Sequence, residues 1–311
     1  MSEPALIPLP PLNGFVAATH TPLHDDGSVN LAAVEIQAAH LLRNRVSKVF
    51  IGGSTGEYSS LSLEERLALT QRWVEVARGT SLVIVVHVGS NCLEDARALA
   101  RNAQRHRAAA IAAVAPSYFK PRDTATLVAC CAHIASAAPN TPFYYYDIPV
   151  LTGVSLSMLG FLAQARGAIP TLAGIKFSNP DLHTYQLLRL ADGGPWELLW
   201  GIDEYMLAAL ALGAKGFVGS TYNFAAPIYH RLIGAFERGD LEAAREEQLR
   251  SAQLVQLLLA SGFMGASKVV MGMLGVKVGP ARLPHQNPTP EQRTKLRAEL
   301  AALGFFDWIG V

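Results

Sequence analysis

The chain alternates between short apolar runs and longer segments in which apolar residues recur every three or four positions. The short runs, bounded by Gly, Pro or Asn, are typical of buried strands, and the longer segments are typical of amphipathic helices. The predicted strands are Phe15–Pro22, Val46–Gly53, Ser81–Gly89, Ala109–Pro116, Thr141–Pro149, Leu172–Ser178, Trp196–Gly201 and Lys215–Ser220. The predicted helices that follow them are Leu31–Leu42, Ser62–Gly79, Glu94–His106, Thr124–Ala137, Ser155–Ala165, Asp181–Leu190, Asp203–Leu212 and Pro227–Arg238.

Strict alternation of strands and helices predicts a parallel sheet, and eight such units predict a closed barrel. The predicted fold class is α/β, a (β/α)8 TIM barrel with additional C-terminal helices. We divide the chain into an N-terminal leader (1–14), the barrel (15–239) and a C-terminal helical extension packed on the barrel (240–311), which is interrupted at Gly275–Pro290.

Composition narrows the function classes. Half of the 311 residues are hydrophobic and only 16% are charged, which favours an extensive core and a homo-oligomer. The formal net charge of +1, without a Lys/Arg run, predicts neither a nucleic-acid nor a membrane partner. Without a signal segment or a long apolar span, and with three cysteines that lack metal-ligand spacing, the sequence predicts a cytoplasmic protein whose thiols are ordinary and buried.

One cation stands out, Lys176 in the apolar stretch Leu172–Ser178. Alternation in a strand places Ala173, Ile175 and Phe177 on one face, and Gly174, Lys176 and Ser178 on the other. An enclosed lysine is driven toward the free amine, the form that attacks a carbonyl carbon to make an imine. The alternative is a lysine that only pairs with a core carboxylate.

Polar residues gather where the predicted strands end, which is where barrels of this class place their active sites. They are Ser54, Thr55 and Glu57 after the second strand, Tyr146 and Asp147 on the fifth, Lys176 and Ser178 on the sixth, Gly201, Asp203 and Glu204 after the seventh, and Ser220, Tyr222 and Asn223 after the eighth. This convergence favours a catalytic Lys176.

Gly52–Glu57, with the sequence GGSTGE, presents small residues and two hydroxyls to an anion. It lacks the Gly-Lys-Ser/Thr of a phosphate-binding loop, so a small carboxylate fits better than a nucleotide. The alternative is a tight glycine turn that Glu57 helps to order.

Three further groups of residues are candidates for a function in the site. Tyr146 is a candidate proton carrier, although it shares a face with Tyr144 and both suit packing. Asp203 and Glu204 open a predicted helix, where either one suits an N-cap, but together they favour a neutral polyhydroxy ligand. His20 and His87 lack the close spacing of metal ligands, so we predict ordinary histidines and no metal.

GSTGE, YYYDIPVLTGV, GIKFS, GIDE and GSTYN occur in this order between about Phe15 and Leu303. In these motifs the sequence resembles the pyruvate-dependent class I aldolases typified by N-acetylneuraminate lyase and dihydrodipicolinate synthase, and it is most similar to the neuraminate lyase branch. The resemblance implies reversible cleavage of N-acetylneuraminate to N-acetylmannosamine and pyruvate, without a cofactor, in a tetramer built as a dimer of dimers.

The same resemblance implies a role for each matching residue. Lys176 would form the imine, Ser54 and Thr55 would hold the pyruvate carboxylate, and Tyr146 would move the proton. Tyr118 would complete the proton relay of a neighbouring subunit. The residues implied to contact the sugar-acid tail are Ser178, Gly201, Asp203, Glu204 and Ser220.

Departures from the family pattern leave alternatives open. Dihydrodipicolinate synthases carry an arginine where this chain has VLTG, which disfavours that reaction. Asp147 replaces a common His or Asn, and Ser117 replaces a frequent aromatic. The alternatives are an aldolase for another 2-keto-3-deoxy sugar acid and, outside enzymes, a catalytically idle barrel that binds sialic acid or pyruvate.

Overall fold

The computed structural model describes residues 11–194 and 196–310, so most of the predicted leader lies outside the described residues. Eight parallel strands close into a barrel in chain order, with β1 paired to both β2 and β8. The strands are β1 (Gly14–Ala18), β2 (Lys48–Ile51), β3 (Val83–His87), β4 (Ala110–Val114), β5 (Phe143–Asp147), β6 (Leu172–Phe177), β7 (Glu197–Trp200) and β8 (Gly216–Gly219). The predicted (β/α)8 barrel is confirmed.

Helices surround the barrel and continue beyond it. They are α1 (Ala33–Arg43), α2 (Leu63–Ala77), α3 (Leu93–Arg105), α4 (Thr124–Ala135), α5 (Pro149–Thr152), α6 (Met158–Ala168), α7 (Leu182–Leu190), α8 (Met206–Ala211), α9 (Ala226–Glu237), α10 (Leu241–Ala260), α11 (Phe263–Met273), α12 (Pro290–Leu303) and α13 (Phe305–Ile309). Short 3-10 turns cover Tyr58–Ser60, Ala191–Gly193, Asp203–Tyr205 and Thr221–Asn223. The C-terminal helices α10 to α13 follow the barrel, and α10 packs on α9.

Local chemistry explains where the elements begin and end. Ser62 and Glu65 form a capping box at the start of α2, with Ser62 Oγ accepting from the Glu65 amide at 3.2 Å. The first strand ends at Ala18 instead of the predicted Pro22. Beyond it, His20 and Thr21 turn their side chains to α11 and to the loop after β2. The sequence also missed α5, a single turn that begins at a proline.

Two apolar layers separate the inside of the barrel from its outside. Phe50, Tyr144, Tyr146 and other inner residues fill the barrel, whereas Tyr145, Ile175, Phe177 and others pack between strands and helices. The predicted shared face of Tyr144 and Tyr146 is therefore confirmed. The prediction for Ala173 is wrong, because a register irregularity between β5 and β6 turns it toward the inner cluster.

Two smaller features bear on the sequence predictions. All three cysteines are free, and Cys131 is buried, but Cys92 is exposed, so the prediction that all were buried is wrong. Within residues 11–194 and 196–310 no single helix has the length and composition of a membrane span. The helices α10 and α11 reach that length and composition when taken together, but the pair is bent by 116°.

Candidate active site

Lys176 lies inside the barrel near the C-terminal end of β6, and only 3% of it is exposed. Its Nζ atom is 3.7 Å from the ring centroid of Tyr146 and 4.2 Å from that of Phe50. In the part of the chain that the structure describes, no carboxylate forms an ion pair with Lys176. The core carboxylate pairing that the sequence left open is not formed there, and the amine faces two aromatic rings.

Tyr146 is the neighbour of Lys176 across the β5–β6 pairing. Its hydroxyl lies 3.4 Å from Ser54 Oγ, so a hydroxyl pair stands beside the lysine. Alternation along β5 and β6 explains this placement, since both side chains point into the barrel at the same level. The structure thus brings together three of the predicted catalytic residues.

Thr55 and Ser220 are also in direct contact, with 2.6 Å between their hydroxyl oxygens. The sequence assigned Thr55 to the pyruvate carboxylate and Ser220 to the sugar tail. The two loops that carry them, after β2 and β8, therefore meet over the barrel mouth. A ligand carboxylate held by Thr55 would also lie within reach of Ser220.

The loop Gly52–Glu57 is tightly folded. Gly52 has φ +60°, and a Cβ on Gly56 would lie 3.0 Å from the Gly52 backbone, so both positions favour glycine. His87 Nδ1 donates to the Gly52 carbonyl at 2.8 Å, and Thr21 Oγ1 donates to the Gly56 carbonyl at 2.7 Å. Both ends of the loop are thereby fixed, with Ser54 and Thr55 between them.

His20 and His87 are buried and hydrogen-bonded, as predicted for ordinary histidines. His20 Nε2 contacts Ser267 Oγ at 2.9 Å. Burial, and secondarily the charge of Lys268, lowers the pKa of His20 to about 3. Burial and the nearby Arg66 guanidinium hold the pKa of His87 well below its usual range. Both imidazoles are therefore neutral at physiological pH.

Ser178 and Gly201 form a close contact between the ends of β6 and β7. A Cβ on Gly201 would lie 2.0 Å from Ser178 Oγ, so the hydroxyl occupies the space that any other residue would fill. The Gly201 amide donates to the Phe177 carbonyl at 2.9 Å, which extends the β6–β7 ladder by one residue. The structure brings these two residues together, and their contact with a sugar-acid tail stays a prediction.

Asp203 and Glu204 differ in their surroundings. Asp203 is buried, and its Oδ2 accepts from the Thr221 amide at 2.9 Å and from Thr221 Oγ1 at 2.5 Å. The N-cap alternative is wrong, because neither side chain caps the 3-10 turn that they begin. Burial raises the pKa of both carboxyl groups. The Tyr222 side chain, which hydrogen-bonds the Asp203 carboxylate, partly opposes the rise in the pKa of Asp203.

Tyr118 lies apart from this cluster. Its side chain is 77% exposed and packs edge-to-face on Phe119, with 5.0 Å between the ring centroids. A surface depression of about 570 Å³ adjoins it. Its role toward a neighbouring subunit stays a prediction.

No metal cluster emerges from the described ranges. Residues 11–194 and 196–310 contain no group of three or more His, Cys, Asp or Glu side chains placed to hold an ion. The Asp147 carboxylate accepts a hydrogen bond from Asn179 Nδ2 at 3.0 Å.

Sequence reasoning missed two basic residues that hold the site loop from the C-terminal side. Lys268, on α11, pairs with Glu57 at 2.6 Å, and both side chains are 1% exposed. Arg282 pairs with Glu65 at 2.5 Å, and its backbone amide donates to Glu57 Oε2 at 2.7 Å. A signal existed for Lys268, since it is the one charged residue in the apolar helix FMGASKVVMGM.

Comparison with known proteins identifies the family of this chain. The dihydrodipicolinate synthetase family profile matches residues 11–303, and the chain belongs to that family. Similar curated relatives include N-acetylneuraminate lyases. The protein from Gallus gallus is 37% identical over 96% of this chain and 98% of its own length. N-acetylneuraminate lyase A from Xenopus laevis is 39% identical over 88% and 90%.

Solved structures give the same result. The N-acetylneuraminate lyase of Proteus mirabilis superposes with a TM-score of 0.92 at 37% identity, covering 95% of this chain and 100% of that one. The enzyme from Aliivibrio salmonicida superposes with a TM-score of 0.92 at 38% identity, covering 95% and 98%. The resemblance drawn from the sequence motifs is confirmed.

Proposed function

We propose that the protein is a carbon–carbon lyase, a Schiff-base aldolase that cleaves N-acetylneuraminate reversibly to N-acetylmannosamine and pyruvate. The observation that carries this proposal is the buried amine of Lys176, which has no carboxylate partner in the described chain and faces the Tyr146 ring at 3.7 Å. Similarity to N-acetylneuraminate lyases over nearly the whole chain supports the substrate.

The reaction follows from these groups. The Lys176 amine adds to the C2 carbonyl of the open-chain keto acid. The hydroxyl group formed at C2 takes the Tyr146 phenol proton and leaves as water, which produces a protonated imine and a Tyr146 phenolate. Tyr146 accepts the C4 hydroxyl proton, the C3–C4 bond breaks, and its electrons move into the imine, which becomes an enamine. N-acetylmannosamine leaves as the aldehyde. Protonation at C3 and addition of water then release pyruvate and restore the amine, so no cofactor is consumed.

The polar residues around the amine contact different parts of the substrate. Ser54 and Thr55 hold the substrate carboxylate. Ser54 Oγ also lies 3.4 Å from the hydroxyl of Tyr146, the proton carrier. The hydroxylated tail of the substrate is contacted by Asp203, Glu204, Ser178, Gly201 and Ser220. We further propose that the protein works in the cytoplasm as a tetramer, in which Tyr118 of one subunit reaches the site of another.

The test is a coupled assay of pyruvate release over a panel of N-acetylneuraminate, 2-keto-3-deoxy sugar acids and, in the synthetic direction, aspartate semialdehyde with pyruvate. The proposal requires the highest kcat/KM on N-acetylneuraminate. If a 2-keto-3-deoxy sugar acid has the higher kcat/KM, the protein is an aldolase for that sugar acid instead. Binding of sialic acid without pyruvate release would identify an idle barrel.

A further inference from the structure

Beyond the groups that touch the substrate, one buried contact links the C-terminal extension to the carboxylate loop. The Lys268 ammonium on α11 lies 2.6 Å from Glu57 Oε1, 2.8 Å from the Pro280 carbonyl and 3.1 Å from the Thr21 carbonyl. One cation therefore joins the loop after β1, the loop after β2 and the segment that follows α11. An ammonium has three donors, and these three oxygens all lie within 3.1 Å of it.

Glu57 is the last residue of the loop that presents Ser54 and Thr55. Its amide donates to the Ser54 carbonyl at 3.0 Å, and its backbone adopts a left-handed conformation with φ +56°. That conformation is uncommon for a residue with a side chain and persists only where the surroundings impose it. The ion pair and the amide of Arg282 impose it here, since both hold the Glu57 carboxylate.

Thr21 connects the same cation to the loop by a second route. Its carbonyl accepts from Lys268, while its hydroxyl donates to the Gly56 carbonyl at 2.7 Å. Gly56 and Glu57 are thus both tied to Lys268, one through Thr21 and one directly. These contacts are fully buried and are not weakened by solvent as surface pairs are.

We propose that Lys268 and Glu57 are positioning residues that hold the Ser54–Thr55 hydroxyls in the geometry that binds the keto-acid carboxylate. The inference rests on the proposed role of those two hydroxyls. It assigns the C-terminal extension a part in substrate affinity, although neither Lys268 nor Glu57 touches the reacting atoms. Burial lowers the pKa of Lys268, and the Glu57 carboxylate opposes that change.

The experiment measures how fast borohydride traps the enzyme–pyruvate imine as pyruvate concentration is varied. Glu57→Gln and Lys268→Met each leave one buried charge without its partner. We expect the half-saturating pyruvate concentration to rise by roughly 10- to 100-fold, as for a misplaced binding group, with a smaller change in the saturated trapping rate. Because the double variant removes both charges, it should be less impaired than the sum of the single variants. Lys268→Arg, which keeps the charge, should recover part of the affinity.

Glu247→Gln is the matched control. Glu247 is also a buried carboxylate in the C-terminal extension, 8% exposed, but it pairs with Arg231 and Arg250 away from the loop. It should lower Tm while leaving the half-saturating pyruvate concentration unchanged. If Glu57→Gln and Lys268→Met behave in the same way, the pair only stabilises the fold and the proposal is overturned.

Two further variants keep the outcome decisive. Thr21→Val removes only the hydroxyl that donates to the Gly56 carbonyl. If the Glu57 and Lys268 variants do not fold, a raised half-saturating pyruvate concentration in Thr21→Val supports the proposal. An unchanged concentration overturns it. Ser54→Ala tests the premise. An unchanged half-saturation there refutes the carboxylate site itself, and the positioning role with it. A raised one in Ser54→Ala with unchanged values in the Glu57 and Lys268 variants overturns the positioning role alone.

Discussion

Asp147→Asn should increase the free energy of unfolding, relative to the parent protein, more above pH 6 than at pH 4. Asp147 ends β5 beside Tyr146 and is only 2% exposed. Burial raises its pKa to about 6, and the hydrogen bond from Asn179 at 3.0 Å opposes that rise only partly. Asparagine keeps the shape and an acceptor for Asn179, but it carries no charge at any pH.

The magnitude follows from linkage between protonation and folding. An aspartate in an unfolded chain titrates near pH 3.9, so the folded state binds this proton more tightly by about 2 pKa units, or about 3 kcal/mol. Because the folded pKa is the higher one, the stability due to the neutral acid is complete below pH 4. It is lost as pH rises through 6. The free energy of unfolding of Asp147→Asn relative to the parent should therefore increase by up to about 3 kcal/mol from pH 4 to pH 8.

Urea unfolding of both proteins at pH 4, 5, 6, 7 and 8 measures this difference, and any pH-independent cost of the amide cancels. Asp123→Asn is the control with the opposite sign. Asp123 is an exposed N-cap whose hydrogen bond from Thr126 lowers its pKa, so that variant should lose stability relative to the parent as pH rises. If the difference in the free energy of unfolding between Asp147→Asn and the parent stays constant or falls as pH rises, then folding does not raise the pKa of Asp147.

The other predictions concern catalysis. Tyr146→Phe should lower kcat by roughly 10²- to 10⁴-fold with a smaller change in KM, because the hydroxyl acts mainly in the transition state; steady-state assays with near-normal kcat would leave Tyr146 as packing. Asp203→Ala should weaken N-acetylneuraminate cleavage and, through the loss of its bonds to Thr221, lower Tm, while borohydride trapping of pyruvate survives. Equal loss of cleavage and of trapping in Asp203→Ala would mean that Asp203 is purely structural. Glu204→Gln is measured in the same two assays for comparison. Prolonged chelation should leave activity unchanged, since the imine supplies the electron sink, and activity that disappears and returns with a divalent ion would contradict this.

The barrel and the core of the site were predictable because both depend on local pattern. Alternation along β5 and β6 is enough to place Tyr146 and Lys176 on one inner face, and parallel strands bring their ends together. Ala173 was misassigned because a strand irregularity depends on the register of the partner strand, which a single strand's sequence does not specify. The Lys268–Glu57 pair was missed because its partners are distant in sequence and meet only when α11 packs against the barrel.

Lys176 is proposed to be the amine that bonds to the substrate. This role can be tested by adding borohydride with pyruvate and analysing the peptides by mass spectrometry. We expect a pyruvate-derived mass on Lys176, complete loss of activity, and no labelling of Lys176→Met. A label on another lysine, including the buried Lys268, or full activity in Lys176→Met would contradict it.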